Sequence, residues 1–438
     1  MRDERLRQLF HELATPVAEA AEPPDPAAVR RRGRRRRRVA VGGVLAAAAI
    51  VVAGVVAVQA TVGGPPAPAG TGPAPATSAP SPTTNVPPPT ATGPPPRTTS
   101  GALAAGPLPH GFKPQSVTFV STSVGYALGG APCAKPPCTS LVRTRDGGRR
   151  WEGVPAPVAP LVPPGQAAAA SAVSEVRFAT ERDGWVYGPG LYATHDGGAS
   201  WRPAAGLDGP VLDLEAAGGW VYAATSARLW TARAGGDGWR PVAGLGASQA
   251  VRAELVLHGA SWWRLQWLRG TGQLRVELAA GVAGGRGRVL GGLPCADPAS
   301  VWQAAELAAA DGRDLALACA GDSAAGSEGK RLYLSGDAGA GWRRTPADPP
   351  LPGRIGALAA PTPGTLVLAL GGPGGGLVAS RDGGRSWARV ADGSAFDGFG
   401  YVGFTSALQG VAVPTAPDGR LWFTRDGGRG WSPYRFPS

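Results

Sequence analysis

The sequence predicts an all-β fold: a seven-bladed β-propeller of four-stranded antiparallel blades, preceded by one transmembrane helix and a Pro/Thr-rich linker. Three observations predict it. A short turn motif recurs along the C-terminal three quarters of the chain. Gly (68), Pro (45) and Trp (14) are abundant, which suits many short strands joined by turns. One uncharged apolar run is preceded by a block of arginines.

The chain begins with a polar segment, residues 1–38. Leu6, Leu9, Phe10 and Leu13 follow helical spacing, and Pro16 ends the pattern. Such a helix can lie on the inner leaflet or dock a cytoplasmic partner. Residues 39–62 hold no charge, and at about 1.5 Å per residue they can cross a bilayer core of about 30 Å. Arg30, Arg31, Arg32 and Arg34 to Arg38 precede the run, whereas the following stalk carries only Arg97. This asymmetry places the N-terminus in the cytoplasm and the rest outside, in a single-pass cell-membrane protein. A cleaved signal peptide, cut after Val58-Gln59-Ala60, is the alternative, but the run is longer than the usual signal core.

Residues 63–100 are Pro, Ala, Thr, Gly and Ser without hydrophobic periodicity. They cannot bury enough surface to offset their ordering entropy and are expected to be a disordered, extended stalk. At about 3.1 Å per residue the stalk reaches roughly 120 Å at most.

Residues 101–438 carry the repeats. Thr144-Arg-Asp146-Gly-Gly148-Arg-Arg-Trp151 is the first copy. Asp196, Gly198 and Trp201 mark the second, Asp337, Gly339 and Trp342 another, then Asp382, Gly384 and Trp387, then Asp426, Gly428 and Trp431. Five copies fit Ser/Thr-x-Asp-x-Gly-x-x-Trp, and a sixth keeps Gly236 and Trp239 but has lost its Asp. The pattern resembles the Asp-box (BNR) repeat of sialidase-like propellers, a box found also in non-enzymatic propellers of the photosystem II assembly factor type. The resemblance covers about residues 108–438 and implies that each box is the turn between the third and fourth strands of a blade.

The neighbourhoods agree. A first strand shows apolar alternation, as in Val117-x-Phe119, Val176-x-Phe178, Leu212-x-Leu214 and Val402-x-Phe404. A second strand opens with Gly125-Tyr126, Gly184-Trp185 or Gly219-Trp220. The box tryptophans lie 50, 38, 103, 45 and 44 residues apart, and the long interval holds two blades, one of them boxless around residues 251–278. The total is seven. The box roles read as structural: Asp accepts backbone N–H bonds in an Asx-type turn, Gly permits positive φ, and Trp buries its ring. A calcium loop would need further oxygen ligands that do not follow.

Strand alternation puts every box on one face. Residues 129–140, 155–172, 281–299 and 319–331 read as long loops on the opposite face, which is where a protein or glycan ligand is expected. Cys133 with Cys138, and Cys295 with Cys319, are expected disulfides on the oxidising side of the membrane.

No catalytic, cofactor or metal residue emerges. The Arg-Ile-Pro motif that the sialidase resemblance would imply is absent; Arg354-Ile355-Gly356 is the nearest string. Tyr126 reads as equivalent to Trp185 and Trp220, Tyr187 to Tyr222, and Tyr192 to Tyr333, a packing pattern rather than a nucleophile. His195 occupies a variable box position and is expected to be exposed; His11, His110 and His258 form no metal or triad spacing with it. From residue 101 on, basic and acidic residues are interleaved, unlike a nucleic-acid binder. The expected function is a non-catalytic, membrane-tethered binding or scaffold module; the alternative is an exo-sialidase or related glycoside hydrolase.

Overall fold

The computed structural model describes residues 105–163, 168–270, 274–296, 302–324, 327–350 and 352–438. The cytoplasmic segment, the membrane span at 39–62 and the stalk expected from the sequence lie outside them. Among the described residues no helix is long and apolar enough to cross a membrane.

The described chain is a seven-bladed β-propeller. Each sheet is built from four consecutive antiparallel strands, in blades 113–154, 175–203, 211–241, 250–290, 303–344, 354–392 and 399–435. The first strand of each blade is innermost. The fourth is outermost and short, only Arg202–Pro203 in blade 2 and Arg240–Pro241 in blade 3.

Strand alternation sends side chains to the two faces of every sheet, so each face must be covered by a neighbouring blade. Seven apolar clusters accordingly fill the seven seams. The ring closes without strand exchange. Phe112 packs edge-on against Phe436 with centroids 4.9 Å apart. The Gly111 N–H donates to the Pro437 carbonyl at 3.0 Å, and Arg425 Nη2 donates to the Gly147 carbonyl at 2.9 Å.

Each intact box joins strands three and four. In blade 1 the buried Thr144 hydroxyl donates to Asp146 Oδ1 (3.0 Å) and accepts the Gly148 N–H (2.9 Å). Asp146 Oδ1 also accepts the N–H groups of Arg149 (2.9 Å) and Arg150 (2.8 Å). Thr194, Ser335, Ser380 and Thr424 repeat the hydroxyl bonds. Glycine is required at Gly148 twice over: its φ is +84°, and a Cβ there would meet the Phe423 ring of blade 7 at 2.6 Å. The box tryptophans reach backward into the seam with the preceding blade. Trp201 Nε1 donates to the Pro155 carbonyl (2.9 Å) and Trp387 Nε1 to that of Ala347 (3.1 Å).

Several expectations need correction. Residues 319–331 are not a loop: the strands Leu315–Ala324 and Ser327–Ser335 run through them as one long hairpin, and Cys319 is buried in mid-strand. Residues 281–299 are not wholly a connection. The third strand of the boxless blade runs to Val282 and its fourth is Arg288–Leu290, so the turn at 283–287 lies on the box face. Cross-strand register places Val221 opposite Ala232, as Gly125 lies opposite Thr144. The counterpart of Tyr126 and Trp185 in blade 3 is therefore Tyr222, not Trp220, and Tyr187 is not the equivalent of Tyr222. Both disulfides form, Cys133–Cys138 and Cys295–Cys319.

Candidate functional site in the central channel

The seven innermost strands surround a cavity of about 1120 Å³. An innermost strand is a sheet edge, and its outward N–H groups need partners. Side chains of the preceding blade supply several. Ser116 Oγ accepts the Val176 N–H (3.1 Å), Asp213 Oδ2 the Leu255 N–H (2.6 Å), and Glu254 the Leu307 N–H (3.0 Å). This geometry recruits polar residues to channel positions between buried apolar ones such as Val176, Leu214, Leu255 and Leu307.

Two charge clusters result. In the first, Arg177 Nε donates to Glu215 Oε1 at 2.5 Å, and the same guanidinium lies 4.0 Å from Glu175 and 5.9 Å from the Tyr401 ring centroid. The Tyr187 hydroxyl lies 3.0 Å from Asp213 Oδ1 and 3.2 Å from Glu175 Oε2. It has one proton to give. When Asp213 takes that proton, a protonated Glu175 completes the set by donating to the phenol oxygen. In the second cluster Arg252 pairs with Glu306 and stacks over Trp267 at 4.2 Å. Glu306 is also hydrogen-bonded by Glu254.

The electrostatics follow from burial. Desolvation raises the carboxyl pKa of Glu175, Asp213, Glu254 and Glu306, and lifts Glu215 to about 7. Burial opposes the Arg177 charge, but Glu215 outweighs it, so Arg177 stays protonated. Burial also lifts the Tyr187 and Tyr401 phenols, Tyr187 well above its ordinary value, which makes them poor nucleophiles.

Sequence alone does not reveal this site. Tyr187 reads there as a packing residue, whereas Tyr187 and Tyr401 both border the channel charges. The available signal was charge alternating with apolar residues on first strands, as in Glu175-Val-Arg177-Phe and Asp213-Leu-Glu215. His195, expected to be exposed, is two-thirds covered, with Nδ1 2.9 Å from Asp183 and Nε2 3.2 Å from Asp237 of the next blade. Among the described residues no group of three or more His, Cys, Asp or Glu is placed to hold a metal ion. The box aspartates do not converge on the channel; each is engaged in its own turn.

No protein-family model matches the chain, and no curated protein matches it. Solved structures do. One described as YCF48 bound to D1 peptide is 17% identical, with 74% of this chain and 96% of that chain covered at a TM-score of 0.48. YCF48 from Cyanidioschyzon merolae is 15% identical, covering 74% and 98% at 0.48. A GH74 xyloglucanase from Xanthomonas campestris is 16% identical, covering 73% and 60% at 0.46. Each is a propeller-scale likeness at low identity, and none carries a functional argument; the seven-bladed fold rests on the chain's own strand pairing.

Proposed function

We propose that this protein is a membrane-tethered, extracytoplasmic binding module whose central channel receives a basic group of a protein partner. The partner enters from the face opposite the box turns. The observation that carries the reading is the channel's charge: five carboxyl groups against two guanidiniums, Arg177 and Arg252, each already paired with a glutamate. An incoming Arg or Lys side chain finds uncompensated acid there and pulls the raised carboxyls into their charged forms. An anionic sugar would meet the same excess as repulsion, which weighs against a sialidase. Two disulfides in the described domain suit an oxidising compartment, in keeping with the topology expected from the arginine block before residue 39.

Calorimetry on the full-length protein in detergent micelles tests this. A short Arg-containing peptide should bind at pH 8 and weaken about tenfold in Glu215→Gln or at pH 6. Equal binding of its Glu-containing counterpart would remove the basis for a basic partner.

One feature favours a second reading, a glycoside hydrolase. A carboxyl held at about 7, such as Glu215, has the poise of a general acid. Release from neutral fluorogenic glycosides that disappears in Glu215→Gln would replace the binding module with that enzyme.

A further inference from the structure

In blades 1, 2 and 7 the residue between the Ser/Thr and Asp of the box bridges to the next blade. Arg145 lies 3.8 Å from Glu181 of blade 2. His195 reaches Asp237 of blade 3, and Arg425 reaches the Gly147 carbonyl of blade 1. Blade 5 has Gly336 at this position. With no side chain to cross, a cavity of about 650 Å³ opens between blades 5 and 6 on the box face.

Gly336, Trp342 and Arg343 of blade 5 face Thr362, Arg381 and Arg385 of blade 6 across it. Two carboxylates also line it. Asp382 is engaged by its own turn, accepting the Ser380 and Ser386 hydroxyls and the Arg385 and Ser386 N–H groups. Asp314 is held against Asp311, whose carboxylate accepts the Asp314 N–H at 2.7 Å. Arg385 donates to the Asp382 carbonyl at 2.7 Å. Arg343 and Arg381 have no ion pair or side-chain hydrogen bond among the described residues.

We propose that this cavity binds a small ligand through an oxyanion group (carboxylate, sulfate or phosphate) held between Arg343 and Arg381. Guanidinium forks match the planar, two-oxygen edge of such groups. The volume is that of a small-molecule site, and the Trp342 edge supplies apolar wall. The cavity adjoins the channel, with Ala310 and Ala360 lining both, but Arg343 and Arg381 lie outside the channel lining.

The test is calorimetric titration of the full-length protein in micelles, at constant ionic strength, with sodium sulfate, sodium glucuronate and uncharged glucose. The expected result is binding of sulfate and glucuronate but not glucose, with affinity lowered about tenfold or more in the double variant Arg343→Gln/Arg381→Gln. Sulfate binding without glucuronate binding confines the ligand to a free inorganic oxyanion; glucuronate binding extends it to a sugar acid. A second variant, Gly336→Leu, places an uncharged side chain across the gap. A Cβ there meets nothing closer than Asp314 Oδ1 at 3.6 Å, so the fold is kept while the cavity is filled. It should abolish binding with the melting temperature unchanged or raised. Absence of binding by both anions, or binding that survives either variant, overturns the proposal.

Discussion

Ala338 shows how one residue can break a repeat at a measurable cost. It stands where other boxes have a first glycine, and it adopts φ of +61°. An L-residue in that region costs about 1–2 kcal/mol, partly offset because glycine is more flexible in the unfolded chain. Ala338→Gly should therefore stabilise the fold by about 0.5–1 kcal/mol, read by denaturant unfolding; a loss of stability would mean that the turn geometry is not as described. His195 works through charge instead. Burial opposes its protonation, but hydrogen bonds to Asp183 and Asp237 outweigh this and raise its pKa. A raised folded pKa contributes stability below the ordinary pKa of about 6.5, which is lost as pH rises through the folded value. His195→Gln should thus cost stability at pH 5.5 and little at pH 8.5, and an equal loss at both would show that packing, not charge, joins blades 2 and 3.

At the scale of the element, the box turn is a closed hydrogen-bond circuit. The buried Thr424 hydroxyl serves both Asp426 and the Gly428 N–H. Thr424→Val leaves that buried N–H unpartnered and should cost about 1–3 kcal/mol. Thr424→Ser should stay within about 1 kcal/mol, since Ser335 and Ser380 do the same work in blades 5 and 6. Both values are read from urea midpoints, and a larger cost for Ser than for Val would assign the role to the methyl group. The boxes were legible in the sequence because a turn needs particular residues at fixed offsets. The hairpin through Cys319 was not, because small and polar residues between Ala318 and Ser327 look like a loop until two strands pair there. The fourth strand of the boxless blade was hidden for the same reason: three residues, Arg288–Leu290, with no turn motif before them.

Across the whole molecule, the ring separates two populations of carboxyl groups, and their pH responses oppose each other. The box aspartates Asp146, Asp196 and Asp426 are held below the usual carboxylate value by backbone and hydroxyl donors, against the opposing effect of burial. Their contribution is present above about pH 4 and lost as pH falls. Burial raises the channel carboxyls, so the folded state keeps protons that the unfolded chain releases above about pH 4.5, and stability declines from there to about pH 7, where Glu215 titrates. Stability should therefore peak near pH 5, with the decline toward pH 8 shallower in Glu215→Gln; a flat profile in both proteins would contradict the buried-acid account. The channel itself was not legible from one sequence. Its residues come from different blades and meet only when the ring closes, as Tyr401 of blade 7 meets Arg177 of blade 2. Crosslinking mass spectrometry on the full-length protein bears most directly on the role given to that channel. Protein partners should crosslink to residues at the channel mouth opposite the boxes, with yield reduced in Glu215→Gln. Crosslinks confined to the box turns, unaffected by that substitution, would show that the partner docks elsewhere and that the channel acids serve only to hold the blades together.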